Sequence, residues 1–258
     1  MTKKGVWLED LTWPEAKAWF DRDAVVIIPI GAASKEHGHA LPLCTDYILA
    51  RDITDRVLQE IPVVAAPVVN IAYFPAFRRF PGSQHISPAT FAALLDEILS
   101  GFYDHGVRNM LIYNTGVSTE GTVENTVREF YARTSVRVGV AHILSLGLSA
   151  HSLLKQKLGG HACELETSMI LELDEKRVYM DKLVTDYGNM LDQPKSAFYF
   201  PAIFGRDPNS GRDYTATGVR GDATLASKEK GTAIVSAIVD DIVNGIKAHY
   251  PDALAKSS

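Results

Sequence analysis

The chain has 258 residues, of which 46% are hydrophobic and 22% are charged, a composition typical of a globular protein with one large domain or two small ones. Its formal net charge of −5 and the lack of a basic run argue against a nucleic-acid partner. No apolar stretch approaches the roughly 20 residues that span a bilayer, and the first residues lack the apolar core of a signal peptide, so we expect a soluble cytoplasmic protein with no membrane partner.

Strand and helix patterns alternate along the chain. Continuous apolar runs predict four strands, at residues 24–30, 63–69, 107–114 and 136–144. Helical patterns predict helices at residues 46–61, 87–106, 119–135, 164–174 and 227–250. The alternation predicts α/β layers with a parallel or mixed sheet, and no clear boundary divides residues 1–258.

The segment 186–226 differs from the rest, because it is rich in Gly, Pro, Tyr and Asp and has no sustained period. Long irregular segments inside compact domains are usually functional. Four aromatic residues of this segment are candidates for pocket walls, or else they bury the segment against its own domain: Tyr187, Tyr199, Phe200 and Phe204.

In open α/β sheets, ligands bind at the carboxyl ends of the strands, and three polar clusters of this chain follow predicted strands. The first is SKEHGHALPLCTD, residues 34–46. His37 and Asp46 are ligands of the kind that bind zinc, manganese or iron, and Glu36 adds a carboxylate. The alternative is a surface loop in which Asp46 is the N-cap of the next helix.

The second cluster is YNTGVSTEG, residues 113–121. Its candidate substrate-binding residues are Asn114, Thr115 and Ser118, because their polar groups and nearby backbone N–H groups can bind a substrate oxygen. The alternative is a turn followed by a helix that Ser118 or Thr119 caps.

The third cluster is GGHACELETS, residues 159–168, which places His161, Glu164 and Glu166 within six residues. A histidine followed by a glutamate three residues later fits one face of a helix, as in carboxylate metal sites. The alternative is a capped helix start with glutamates in its first turn.

Several segments in the same order resemble the creatininase (creatinine amidohydrolase) family. HGHALPLCTD is similar to the family pattern His-Gly-x-His-Leu-Pro-x-x-x-Asp, and GGHACELETSMIL to its His-Ala-Gly-Glu-x-Glu-Thr-Ser segment. The opening LTWPEAKAWFDRDAVVIIPIGA looks like the family's first helix and strand, and FPGSQHISPATF and GVRGDATLASKEKG resemble two further elements. The resemblance covers most of the chain and implies one creatininase-like domain, residues 1–258.

The resemblance implies a three-layer α/β/α sandwich, a centre of one or two divalent ions (zinc or manganese, or else iron), and hydrolysis of a C–N bond in a small, cyclic amide substrate. It implies homo-oligomers, trimers or hexamers. The metal ligands that it implies are Glu36, His37, Asp46 and Glu164. The catalytic residues that it implies are His161, as a proton shuttle, and Glu166.

Two departures from the family pattern leave alternatives open. The family has a glutamate two residues before the histidine, where this chain has Lys35, so either Glu36 turns into the site or Lys35 replaces one metal charge. After the third predicted strand, the family's histidine ligand is missing. The alternatives are therefore a single-metal site, or a site completed by water, Glu120 or His39. The alternative functions are a single-metal lactonase or lyase-like enzyme, and a catalytically silent homologue with a binding or assembly role.

Overall fold

Five parallel strands form the central sheet of the computed structural model, which describes residues 3–194, 197–198 and 200–257. In chain order the strands are β1 (Val6–Trp7), β2 (Val26–Ile30), β3 (Val64–Ala65), β4 (Met110–Asn114) and β5 (Val138–His142). Their order across the sheet is β1-β3-β2-β4-β5, and each neighbouring pair is parallel. A separate antiparallel pair joins β6 (Thr185–Asp186) to β7 (Gly221–Asp222).

Helices cover both faces of the sheet. In chain order they are α1 (Trp13–Phe20), α2 (Thr45–Glu60), α3 (Pro88–Asp104), α4 (Glu120–Thr134), α5 (Glu164–Asp174), α6 (Lys228–His249) and α7 (Pro251–Ser257). The strand β2 is buried on both faces, as predicted: Ile27 packs with the core of α2, α5 and α6, whereas Ile28 packs with the core of α3 and α4. This confirms an α/β fold with a mostly parallel sheet between helical layers.

Most predicted elements are present with ends that shift by a few residues. The largest difference is the strand predicted at 63–69, of which only Val64–Ala65 pairs continuously, because Pro67 has no N–H to continue the ladder. The strand β1 and the short helix α7 were not predicted from the residue patterns, since two and seven residues are too few to show a period. In the described part of the chain, none of the helices has the length and apolar character needed to cross a membrane.

The register of the sheet aligns the carboxyl ends of three neighbouring strands. Ile30 pairs with Asn114, and Asn114 pairs with His142. The loops that follow β2 and β4 therefore leave the sheet side by side, and Thr115 N–H donates to the carbonyl of Ile30 at 3.0 Å. This edge of the sheet positions the first and second polar clusters next to each other.

Gly31 permits the close approach of the loop after β2 to the first turn of α2. A Cβ atom at this position would lie 2.2 Å from the backbone oxygen of Asp46 and 2.6 Å from the side chain of Ala50. We predict that Gly31→Ala lowers the free energy of unfolding by about 1–3 kcal/mol, because the clash pushes α2 away from the sheet. Urea denaturation followed by circular dichroism measures this loss.

Gly245→Ala in α6 is the matched control, since no atom lies within 4 Å of the added Cβ. It should leave stability unchanged or raise it by up to about 1 kcal/mol, because alanine favours helix more than glycine does. Equal stabilities of the two variants would show that the contact at Gly31 is unimportant.

Candidate metal centre

Three segments bring their polar side chains together at the carboxyl edge of the sheet. The loop after β2 carries Lys35, Glu36 and His37, the first turn of α2 carries Asp46, and the segment that enters α5 carries His161 and Glu166. All but Glu166 are buried, and the Glu166 side chain is 20% exposed. Several hydrogen bonds fix the first loop, among them Lys35 N–H to the Leu43 carbonyl at 2.9 Å and Glu36 N–H to the Ser83 hydroxyl at 3.0 Å.

Asp46, in the first turn of α2, is buried, and cationic groups contact both of its carboxylate oxygens. Lys35 Nζ lies 2.7 Å from Oδ2, and His37 Nε2 lies 3.0 Å from Oδ1. Burial opposes ionisation of Asp46, but the charges and hydrogen bonds of Lys35 and His37 outweigh it and hold the pKa of Asp46 well below its usual value. Asp46 is therefore not the helix N-cap, a position that Cys44 occupies.

Backbone carbonyls fix the orientation of both imidazoles. Nδ1 of His37 donates to the Lys35 carbonyl at 2.9 Å, so Nε2 is the nitrogen at which a proton or a metal ion would bind. Nε2 of His161 donates to the Glu36 carbonyl at 2.7 Å, which leaves Nδ1 as its ligand nitrogen. This is the arrangement by which proteins orient metal-binding histidines.

His37, His161 and Glu166 are a group that fits a metal ion. Each offers one ligand atom, and these atoms lie within 4.8 Å of one another. Nδ1 of His161 lies 3.8 Å from Oε2 of Glu166, and the two imidazole ring centroids are 4.6 Å apart. Two nitrogens and one carboxylate suit zinc, manganese or iron. The residues present therefore fit a divalent ion, with small movements needed to bring all three ligands to bonding distance.

Glu36 faces His161 and lies outside this group of three. Its Oε2 is 3.2 Å from His161 Nε2, and its Oε1 accepts the N–H of Gly38. Burial raises its pKa, but His161 and the Gly38 N–H outweigh this effect and lower the pKa below its usual value. Gly218, at φ +86°, makes room for this carboxylate, because a Cβ there would lie 1.9 Å from Oε1. In this geometry Glu36 contacts His161, and its expected metal role stays a prediction.

Glu164 is also separate from the centre, although the sequence pattern made it a candidate ligand. It is fully buried, and its Oε2 accepts the N–H groups of Lys155 and Gln156 at 2.8 and 2.7 Å. Its Oε1 pairs with Lys230. Because α5 begins at Glu164, His161 precedes the helix, so the helical i, i+3 spacing does not apply and His161 meets Glu166 instead.

The predicted substrate-binding residues after β4 have mainly structural contacts. Asn114 donates to the Gly116 carbonyl and to His142, and its oxygen accepts from Gly116 N–H and from the Thr119 hydroxyl. The Thr115 hydroxyl donates to backbone oxygens of β2 and α2. Ser118 is half-buried. Of the three, Thr115 also lines the cavity beside Glu166.

An aromatic stack also contacts the His161 ring, a feature that the sequence did not reveal. The Phe77 ring stacks on the His161 ring at 3.8 Å between centroids, and Phe204 stacks on Phe77 at 5.1 Å. Arg220 lies over Phe204, at 4.1 Å from the ring centroid. Phe204 of the irregular segment therefore acts on the centre through Phe77.

The other aromatic candidates of the irregular segment have different positions. The Tyr187 hydroxyl accepts the N–H of Lys157 at 3.2 Å, and Phe200 is exposed with Arg212 over its ring. Tyr199 lies outside the described residues. Among the three predicted wall residues that the structure describes, Phe204 is thus the one that stacks next to the centre.

A cavity of about 700 Å³ lies beside Glu166. Thr115 and Glu166 supply polar atoms, and apolar residues form most of its lining, among them Ile143, Leu144, Leu154, Leu165 and Met169. A volume of this size suits a small molecule. Further polar groups come from His151, Gln156 and Lys157, and Glu166 connects this cavity to the candidate centre.

Comparisons with known proteins agree with this picture. A family model described as creatininase (creatinine amidohydrolase) matches residues 9–246. The creatinine amidohydrolase of Pseudomonas putida is 25% identical and aligns with 96% of this chain and 98% of its own length. The 3-dehydro-scyllo-inosose hydrolase of Thermotoga maritima is 24% identical, over 96% of this chain and 85% of its own.

Solved structures share the fold over nearly the whole chain. A manganese form of creatininase superposes with a TM-score of 0.78 at 25% identity, covering 96% of this chain and 99% of that one. A mutant creatininase of the Zn–Zn type has a TM-score of 0.78 at 24% identity, with 97% and 100% covered. These relatives are named as zinc and manganese forms, and the group of His37, His161 and Glu166 is consistent with a divalent ion here.

We predict that Asp46→Asn lowers the free energy of unfolding of the metal-free protein by about 3–5 kcal/mol, because it leaves the buried Lys35 ammonium without a counter-charge. Urea denaturation in the presence of EDTA measures the loss. The matched control is Asp21→Asn, which removes an exposed pair with Lys17 and should cause no measurable change. A loss no greater than that of Asp21→Asn would contradict the stabilising role of the pair.

Proposed function

Because this chain belongs to the creatininase family, we propose that it is a metal-dependent hydrolase that cleaves a C–N bond in a small, cyclic amide. The observation that carries the proposal is the group of His37, His161 and Glu166, whose ligand atoms lie within 4.8 Å of one another beside a cavity. The relatives named above are hydrolases by name, which supports the reaction class.

In this proposal, Nε2 of His37, Nδ1 of His161 and the carboxylate of Glu166 hold a divalent ion, zinc or manganese. A bound ion of this kind supplies a Lewis acid for a carbonyl oxygen and lowers the pKa of a bound water. His161 and Glu166, for which the family resemblance implies catalytic roles, would thus act at the reacting atoms as ligands. Glu166 also lines the cavity, which supports a role for its carboxylate in accepting a proton from attacking water.

The rest of the centre keeps these groups in place. The Lys35 and Glu36 carbonyls fix the two imidazoles, and Phe77 covers one face of the His161 ring. Glu166 Oε2 accepts the N–H of Ala162, a residue in the left-handed conformation at φ +47°. This turn orients His161 and Glu166 toward each other although they are five residues apart in the chain.

The cavity supports a small substrate with limited charge. Its walls are mainly apolar, so an uncharged ring fits them better than an extended ionic molecule does. The relatives' names specify creatinine and 3-dehydro-scyllo-inosose, which are both small ring compounds. Ring opening of a small amide by water is therefore the reaction that we propose.

A second candidate is a single-metal hydrolase or lyase-like enzyme that opens a ring other than an amide, such as a lactone. The relative named as an inosose hydrolase favours this reading, because its name specifies no amide. Substrate tests with cyclic amides, imides and lactones separate the two candidates, since only one of the classes is expected to be turned over at a useful rate.

Assembly into homo-oligomers, trimers or hexamers, in the cytoplasm is part of the same proposal. Exposed apolar side chains near the cavity support an interface between copies: Val117, Leu144, Leu148, Leu153 and Leu158. Apolar residues clustered in this way commonly mark protein–protein contacts.

We predict that removal of metal with EDTA abolishes hydrolysis and that zinc or manganese restores it, because the ion supplies the Lewis acid. The measurement is turnover of the panel of cyclic amides, imides and lactones by the treated and the reconstituted protein. Full turnover by protein shown to be free of metal would contradict a metal-dependent reaction. A chain that binds metal but turns over none of the panel would point instead to a binding or assembly role.

We predict that substitution of two glutamates in α5 affects different properties, zinc affinity for Glu166 and stability for Glu164. Glu166→Gln should lower zinc affinity by at least about 10-fold, because it removes a ligand. Glu164→Gln should retain zinc but lower the free energy of unfolding, because it leaves the partly buried Lys230 ammonium without its counter-charge. Zinc titration calorimetry and urea denaturation of both variants give the two readouts, and the reverse pattern would assign the ligand role to Glu164.

A further inference from the structure

We propose that the ammonium of Lys35 takes the place of one metal cation at Asp46, so that this centre holds a single divalent ion. The proposal deepens the function proposed above, and it concerns the number of ions rather than whether the enzyme needs one. It follows from three features of the described residues: the contacts of Asp46, the charge of the centre, and the lack of a second group of ligands.

The first feature is the geometry of the pair. Lys35 Nζ lies 2.7 Å from Oδ2 of Asp46, and the two side chains are 10% and 2% exposed. The other oxygen of Asp46 faces Nε2 of His37 at 3.0 Å. The Asp46 carboxylate thus has the Lys35 ammonium on one oxygen and Nε2 of His37 on the other, so a cation of the protein already occupies one of its two oxygens.

The second feature is the charge balance. The centre contains one ammonium, that of Lys35, and three carboxylates, those of Glu36, Asp46 and Glu166. With both imidazoles neutral, as metal ligands must be, these groups sum to a net charge of −2. One divalent ion neutralises that charge, whereas a second would leave a buried excess of two positive charges, which is costly.

The third feature is the set of ligands around Asp46. Among the described residues, the group of His37, His161 and Glu166 is the one that could hold a metal ion. The loop after β4 lies close by, since the Thr115 hydroxyl contacts the backbone of Asp46, but Asn114 is engaged in four hydrogen bonds of its own. A second ion at Asp46 would therefore find the place on Oδ2 filled by Lys35, and the described residues offer no second group of three ligands.

The test compares the metal content of wild-type protein and of Lys35→Glu. Each purified full-length chain is stripped with EDTA, reconstituted with zinc chloride alone or manganese chloride alone, desalted, and analysed by mass spectrometry for metal per chain. We expect one equivalent in the wild type and one more in Lys35→Glu, because the variant removes the ammonium and supplies a carboxylate. The control Lys247→Glu adds a carboxylate at an exposed position of α6 and should match the wild type.

The outcomes separate this proposal from the proposed function. Two equivalents in the wild type, or no additional equivalent in a folded Lys35→Glu variant, would overturn the role of Lys35. No metal in the wild type would overturn the single-ion centre and the metal-dependent reaction together. One equivalent in the wild type and two in Lys35→Glu, with no turnover of the cyclic amides, imides and lactones, would support the role of Lys35 and refute the proposed hydrolase. Circular dichroism of each variant verifies that it is folded.

A second variant keeps the test decisive if Lys35→Glu does not fold. Lys35→Gln has a similar length and no charge, so it frees Oδ2 of Asp46 without adding a like charge next to it. We expect zinc to raise the melting temperature of Lys35→Gln more than that of the wild type, because a second ion then binds the folded state. Equal rises in the two proteins would overturn the proposal.

Discussion

A buried carboxylate has to be compensated by nearby positive charge, and the arrangement around Asp46 follows from this constraint. Asp46 lies in the first turn of α2, between the sheet and the loop after β2, where water does not reach it. Lys35 and His37 come from that loop and contact one oxygen each. The same loop also orients the imidazoles of His37 and His161, because its carbonyls at Lys35 and Glu36 accept one N–H from each ring. The segment that compensates the charge of Asp46 is thus the one that selects the ligand nitrogens of both histidines.

These side chains lie at the carboxyl edge of a parallel sheet, and residues of the irregular segment 186–226 contact them. Gly218 leaves room for the Glu36 carboxylate, and the backbone of Arg220 pairs with that of His161 through two hydrogen bonds. Phe204 reaches the centre through Phe77. A segment with little regular structure is thus tied to the centre by backbone hydrogen bonds and by ring stacking.

Much of this could be predicted from the sequence, because strand ends at one edge of a parallel sheet must lie together. The convergence of the loop with His37 and the loop with Thr115 follows from that rule, since they leave the neighbouring strands β2 and β4. Which glutamate meets His161 could not be predicted, because it depends on the residue at which α5 begins, and successive helical residues point about 100° apart. Whether Lys35 or Glu36 faces Asp46 could not be predicted either, since both side chains are buried in an irregular loop and only the folded contacts distinguish them.

The position of Lys35 also has an evolutionary consequence. Lysine and glutamate codons differ by a single nucleotide, AAA or AAG against GAA or GAG. A chain with lysine here and a chain with glutamate here are therefore neighbours in sequence space, although one places a fixed ammonium beside Asp46 and the other a carboxylate. A lineage could exchange a dissolved metal ion for a covalently attached cation, or the reverse, in one mutational step, and so adjust its dependence on the metal supply of its surroundings without rebuilding the fold.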